Sequence, residues 1–397
     1  MHIGRPLAAG GAGMLGLVLG ISVGIGVGVL GAGIGVAALA GCSARPPAVI
    51  APSSSAPQAS AAEAGVVPTG TPRDVVTGLQ SPWSILRVDP NTTLVSERDT
   101  GAIERVTASG GLAKVGTVPG VVHDGEGGLL GLALLIVGST RWLYAYETTA
   151  SDNRIVRMTL GSDLALGSPE VVLTGLAFSD HHDGGRIAFG PDGMLYATVG
   201  DAGDTSHSQD LTSLNGKILR MTPTGGVPAN NPFPGSRVWS YGHRNPQGLA
   251  WDAKGQLWAS EFGQNSWDEF NRITAGKNYG WPTVEGQAHD PRFVDPVLQW
   301  PTSDASPSGL AYIGGTFFMA ALRGERLWAI RVDAAGAATA TPYFSASFGR
   351  LRDVSKGPDG LLWILTDNTD GRGTPKPGDD RIVQIELSPL PAAGGGG

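Results

Sequence analysis

The 397-residue chain holds a single cysteine, Cys42, so no disulfide can form within it. Charge is scarce as well. Only 16% of residues are Asp, Glu, Lys or Arg, the formal balance is −7, and no long basic run occurs, which argues against a nucleic-acid partner. Strong helical periodicity is missing along the whole length, which speaks against a helical fold.

What abounds is glycine. The 61 glycines and 28 prolines follow no Gly-X-Y period and instead punctuate short apolar runs, as turns would. With 41% hydrophobic residues the chain can bury one or two cores, although closed β folds often use well over ~200 residues as one domain.

The N-terminal segment reads as export. Arg5 precedes an apolar, glycine-rich run from Leu7 to Ala40, and Leu39-Ala40-Gly41-Cys42 sets small residues before a cysteine, as a signal peptidase site does. This resembles the lipobox of bacterial lipoproteins. The resemblance implies a signal peptide over 1–41, a lipidated Cys42 that holds the chain to the outer side of a membrane, and a location outside the cytoplasm. A plain transmembrane anchor is the alternative, since the run is long enough to span a bilayer. Residues 42–70, rich in Ala, Pro and Ser with scarcely a charge, read as a disordered tether, and 391–397 as a disordered tail.

Residues 71–390 read as all-β. Runs such as Thr93-Leu94-Val95-Ser96, Trp142-Leu143-Tyr144-Ala145-Tyr146, Leu195-Tyr196-Ala197-Thr198-Val199, Leu257-Trp258-Ala259-Ser260, Leu327-Trp328-Ala329-Ile330 and Leu361-Leu362-Trp363-Ile364-Leu365 are β-branched or aromatic and bounded by turn residues. Several follow one turn chemistry, as in Gly190-Pro191-Asp192-Gly193, Asp252-Ala253-Lys254-Gly255 and Gly357-Pro358-Asp359-Gly360. Repetition of a turn-plus-strand unit at roughly fifty residues predicts a β-propeller of about six blades.

Several clusters carry chemistry. Ser179-Asp180-His181-His182-Asp183-Gly184-Gly185-Arg186 places titratable groups on a polar loop that ends in a strand. A neutral imidazole accepts a hydroxyl proton near pH 7, which makes His182 a candidate general base, although a loop histidine taken alone is more often a solvated or capping residue. In Arg350-Leu351-Arg352-Asp353 the two arginines share one face of an extended chain while Leu351 takes the other. Two guanidiniums together suit a polycarboxylate ligand, or two ion pairs with nearby aspartates. The polar and aromatic run from Trp239 to Leu249 reads as a site-lining loop. Ser260 to Glu269 offers the carbonyls and carboxylates that calcium prefers, though not in the EF-hand pattern.

Five motifs then fall in one order: Gly127-Gly128-Leu129-Leu130-Gly131-Leu132-Ala133, His182-Asp183-Gly184-Gly185-Arg186, Tyr241-Gly242-His243-Arg244-Asn245-Pro246-Gln247-Gly248-Leu249, Gly276-Lys277-Asn278-Tyr279-Gly280-Trp281-Pro282 and Arg350-Leu351-Arg352-Asp353. In this the chain resembles the glucose/sorbosone dehydrogenases, among them the soluble aldose sugar dehydrogenases that use pyrroloquinoline quinone (PQQ). The resemblance covers about 71–390. It implies a six-bladed propeller with PQQ over the central channel, a sugar substrate oxidised at C1 and an extracytoplasmic electron acceptor. By motif, His182 matches the base and Arg244, with Asn245 beside it, the arginine near the quinone oxygens. Arg350, Arg352 and Arg323 match the residues that grip the cofactor carboxylates. Gly263 and Gln264 match the pair whose backbone carbonyls hold a catalytic calcium, and Asp201 and Gln209 fall near positions lining the site.

Three departures stand out. His181 replaces an acid of the glucose-oxidising branch, and Glu126 stands where that branch has glutamine and the aldose branch accepts an acid. Gln264 replaces the proline of the usual Gly-Pro pair, which predicts a less rigid metal loop. Two further readings stay open: a catalytically silent, surface-anchored propeller that binds a glycan or protein, and a propeller lactonase, whose site needs several calcium-binding carboxylates.

Overall fold

The computed structural model describes residues 65–390. The expected signal peptide, Cys42, most of the expected tether and the expected tail lie outside the described residues.

The recurrent turn explains the recurrent strand. In Gly190-Pro191-Asp192-Gly193, proline presets the φ of the first turn position, and Gly193 takes φ +72°, which costs a glycine no Cβ clash. Its N–H donates to Gly190 O at 2.9 Å. Asp192 accepts from the Met194 N–H (3.1 Å), the Tyr196 hydroxyl (3.0 Å) and Arg220 Nε (2.9 Å), so one turn carboxylate ties three successive segments of a blade.

Repeated around an axis, these units form six four-stranded antiparallel sheets: the six-bladed β-propeller predicted from the repeat. Blades one to five occupy 82–117, 129–176, 187–241, 245–301 and 307–343. The sixth joins the strands Leu351–Lys356, Leu362–Thr366 and Arg381–Pro389 to the N-terminal strand Val66–Thr77, which pairs from Val66↔Pro389 to Thr77↔Arg381 and closes the ring. That strand corrects the tether boundary. Residues 66–69 pair with 386–389 and belong to the fold, as the first half of the strand that Arg73 to Thr77 continue along 381–384.

Burial follows the same geometry. Six apolar clusters fill the six spaces between neighbouring blades: Tyr144 and Tyr146 pack with Leu195 and Leu219 between blades two and three, and Val95 and Ile85 with Leu365 and Ile382 between six and one. Closure therefore covers the apolar faces between neighbouring blades, and the innermost strand of each sheet is left as a short, protected edge along the channel.

The innermost strands meet at a polar plug. Arg186, buried, donates from Nη1 to Ser84 Oγ (3.3 Å) and Asp353 Oδ2 (3.1 Å) and from Nε to Gln247 O (3.0 Å), with its guanidinium 4.1 Å from the Trp83 ring. Gln247 Oε1 also accepts from Ser308 Oγ (3.0 Å) and Arg352 Nη1 (2.9 Å). One blade each thus contributes Ser84, Arg186, Gln247, Ser308 and Asp353, and their mutual bonds form the floor of the site above.

Candidate active site

Above the plug opens a cavity of about 470 Å³. It gathers residues from across the ring: Glu126 and His182, then Arg244, Asn245 and Gln247, then Gly263, Gln264 and Asp268, then Arg323, Arg350 and Arg352. The turns between blades place them there, since each inner strand starts at this end of the channel.

His182 has the geometry of a base. Its backbone is left-handed (φ +64°), and its N–H donates to Glu126 Oε2 at 2.9 Å. Gly200 packs so tightly on the His182 carbonyl that a Cβ has no room, and this fixes the loop. In the ring, Nδ1 lies 2.7 Å from Asp201 Oδ1. The carboxylate only accepts, so Nδ1 carries the hydrogen and Nε2 keeps its lone pair. Among the described residues Nε2 makes no hydrogen bond, and His182 lines the cavity. Asp201 is held below the usual carboxylate range: burial raises it, but the bonds from His182, Trp281 Nε1 (2.8 Å) and the Gly203 N–H (2.9 Å) outweigh burial.

His181, by contrast, points outward. It pairs with Asp180, its side chain is 46% exposed, and it touches His182 only edge to face at 4.3 Å between centroids. The solvated alternative fits His181, not His182.

Of the two arginine readings, the ion pairs are present. Arg350 donates through Nε (3.0 Å) and Nη2 (2.7 Å) to Asp370, and Arg352 through Nε to Asp367 (2.7 Å), while Leu351 is buried on the opposite face. Both arginines also line the cavity, and Arg350 has its second Nη to spare. Burial pushes Asp367 up to about 6 despite Arg352, and Asp370 sits low because the Arg350 and Arg352 charges overcome its burial. Arg323 differs: it is exposed at the rim and has no hydrogen bond or acid partner among the described residues. Five guanidiniums, those of Arg244, Arg323, Arg350, Arg352 and Arg372, therefore face the cavity against the carboxyls of Glu126 and Asp268. Such a lining suits a small polyanion.

Two expected lining residues are corrected. Asp201 lies fully buried behind His182 and acts on its ring rather than on a ligand. Gln209, on a short helical turn, is spent on Asn278 and the Trp281 carbonyl (2.7 Å), which turns it away from the cavity. The run from Trp239 to Leu249 is likewise only partly a loop: Val238–Tyr241 and Asn245–Trp251 are strands, and Gly242 to Arg244 links them.

In the expected metal loop, Gln264 adds a side-chain tie that proline has not: its Oε1 accepts from Arg244 Nε (2.8 Å) and Nη2, and Arg244 lies over the Trp281 ring at 5.6 Å. The carbonyls of Gly263 and Gln264 accept no hydrogen bond from the described residues, and both residues line the cavity. Unspent carbonyl oxygens at a polar cavity suit a hard cation. No group of three or more His, Cys, Asp or Glu side chains placed to hold a metal ion occurs among the described residues, so the carboxylate-rich calcium site of a lactonase has no counterpart there.

Sequence reasoning missed Trp83 and Arg372, whereas Gln247 and Asp268 lie within runs it flagged without singling them out. Arg372, flanked by Gly371 and Gly373, bonds Glu126 Oε1 at 3.2 Å across the cavity mouth, and the same glycine-flanked signal as Gly185-Arg186 marks it.

Fold and site together define a propeller enzyme with an arginine-lined cavity and a histidine–aspartate pair at its channel mouth. The profile of the glucose/sorbosone dehydrogenase family matches residues 79–375, and the chain belongs to that family. The PQQ-bound aldose sugar dehydrogenase of Streptomyces coelicolor is 52% identical, covering 81% of this chain and all of that one, with a TM-score of 0.77. An aldose sugar dehydrogenase of Escherichia coli is 30% identical over 330 residues, 74% of this chain and 89% of its own length. The quinoprotein glucose dehydrogenase B of Acinetobacter calcoaceticus is 35% identical over 253 residues, 54% of this chain and 53% of its own length.

Proposed function

We propose that this enzyme oxidises aldose sugars at C1 with PQQ and calcium, on the outer side of a membrane to which lipidated Cys42 anchors it. The observation that carries the reading is the unengaged Nε2 of His182 facing a cavity whose arginines include one without an acid partner. The PQQ named for the Streptomyces coelicolor relative supports the choice of polyanion.

The residues present fit both groups. Arg323, and the spare N–H groups of Arg350, would hold cofactor carboxylates; Arg244 and Asn245 would face the quinone oxygens, and the Gly263 and Gln264 carbonyls would hold calcium. When bound, the quinone supplies a two-electron acceptor and calcium a Lewis acid beside it. The protein's own part is proton handling and placement. His182 Nε2 accepts the proton of the sugar's C1 hydroxyl, and Asp201 orients the ring and stabilises the imidazolium that results. Trp281 and Gly203, bonded to Asp201, keep that carboxylate in place. An extracytoplasmic acceptor then takes the electrons.

The test is reconstitution with PQQ and calcium followed by dye reduction with a panel of aldoses, expected to show saturable, sugar-dependent turnover. Protein that binds no PQQ returns the reading to a silent propeller that binds a glycan or protein. Membrane anchoring is tested apart: Cys42→Ser should release the chain into a soluble extracytoplasmic fraction or leave it unprocessed. Membrane retention of a correctly cleaved Cys42→Ser chain overturns the anchor.

A further inference from the structure

We infer that Glu285 is the positioning residue of the metal loop: its carboxylate gathers the loop amides on one side and so turns the Gly263 and Gln264 carbonyls toward the cavity. The role in metal binding rests on the calcium reading proposed above.

Four consecutive backbone N–H groups converge on one oxygen. Gln264 (2.7 Å), Asn265 (3.0 Å), Ser266 (3.0 Å) and Trp267 (3.1 Å) all donate to Glu285 Oε1. The preceding amide, Gly263, donates to Asp268 Oδ1 at 2.9 Å. Successive amides turned onto one anion form a nest, here filled from within the chain. A trans peptide sets its C=O opposite its N–H. The peptide whose N–H is Gln264's carries the Gly263 carbonyl, and the peptide whose N–H is Asn265's carries that of Gln264. Both N–H groups point at Glu285, so both carbonyls point away from it.

Away from Glu285 is toward the cavity. Gly263 and Gln264 line the cavity and Glu285 does not; it lies on the other side of the loop, beside Tyr279 and Val284. Apolar packing does not anchor the segment: residues 264–266 are exposed, and beside Glu285 it is held by Arg244 on the Gln264 side chain and by Thr302 Oγ1 on the Asn265 carbonyl (3.4 Å). The departure from Gly-Pro then has a reason. Proline has no N–H, whereas Gln264 adds one to the nest and offers its Oε1 to Arg244. Carboxylate and guanidinium thereby hold the loop from opposite sides.

Two measurements on the full chain decide the matter. In the metal-free protein, amide hydrogen exchange at 264–267 should be slow despite exposure, and Glu285→Ala should speed it at least roughly tenfold, with amides of the blade cores unchanged. Calcium titration should show an affinity roughly ten- to a hundredfold weaker in Glu285→Ala than in wild type, the usual effect of removing a group that orients metal ligands. Should Glu285→Ala not fold, Glu285→Gln, which keeps one accepting oxygen without the charge, should show both effects in reduced size. Gln264→Ala, which leaves the backbone nest intact, should leave exchange at 265–267 slow. Unchanged exchange in the Glu285 variants overturns the positioning role whatever calcium does. A wild type with slow exchange that binds no calcium overturns the calcium reading and leaves Glu285 as the anchor of the loop alone.

Discussion

His182 Nδ1 lies 2.7 Å from Asp201 Oδ1, and Asp201 is in turn fixed by Trp281 and by the Gly203 amide. Orientation of the base therefore depends on a carboxylate that never reaches the cavity. His182→Ala should cut turnover by roughly two to four orders of magnitude, the span of general-base catalysis, with cofactor affinity little changed. His181→Ala, at an exposed ring, should do far less. Equal losses from both, read as steady-state dye reduction, contradict the assignment.

Asp201→Asn separates orientation from proton affinity. An amide in place of the carboxylate can donate to Nδ1 and so favour the wrong tautomer, with the hydrogen on Nε2. The rate constant should fall roughly a hundredfold or more while KM for the sugar holds. A variant with unchanged rate constant makes Asp201 a bystander.

Much of the fold was legible because its signals are local. The Gly-Pro-Asp-Gly turn and the two-residue period of strands such as Leu195–Val199 repeat within a few residues, and the same period put Arg350 and Arg352 on one face. What stayed hidden depends on the ring closing. Trp83 and Arg372 reach the cavity from opposite ends of the chain, and Glu126 meets Arg372 across 246 positions of sequence. The resemblance put Asp201 near the site without saying that the close approach of Gly200 to the His182 carbonyl would set it behind His182. Nor could any local pattern reveal that four amides of one loop would converge on Glu285.

Asp183, next to the base, gives a pH test. Burial pushes its carboxyl up to about 7, against the Asn153 Nδ2 bond at 2.8 Å and with the Glu126 charge adding to the rise. A carboxyl near 4 when unfolded and near 7 when folded favours the protonated native state, so its stabilisation is complete below about pH 4 and is lost as pH rises to 7. At roughly 1.4 kcal/mol per unit the loss is at most about 4 kcal/mol. Asp183→Asn keeps an accepting oxygen for Asn153 and never ionises. In urea unfolding it should equal wild type near pH 4 and exceed it at pH 8. A gain of the same size at both pH values rules out ionisation of Asp183 as the cause.

The arginines should divide by their partners. Arg350 is 11% exposed at its side chain and paired to a fully buried Asp370, so Arg350→Ala leaves that carboxylate to the more distant Arg352 (3.8 Å) and should cost about 1.5–3 kcal/mol of stability as well as cofactor affinity. Arg323 has no such partner and sits at the rim. Arg323→Ala should leave the melting temperature of the cofactor-free protein unchanged. Its effect should appear only with the ligand: one charge-assisted contact, worth on the order of 1.5–3 kcal/mol, corresponds to a roughly tenfold to hundredfold weaker affinity for PQQ. Excess PQQ should restore turnover in Arg323→Ala but not in His182→Ala, whose missing group the cofactor cannot replace. The measurements are a PQQ titration followed by tryptophan fluorescence in calcium, and thermal unfolding without either. Affinity indifferent to Arg323 while Arg350→Ala weakens it would confine the clamp to the buried pair. A lower melting temperature in cofactor-free Arg323→Ala would show instead that this guanidinium serves the fold.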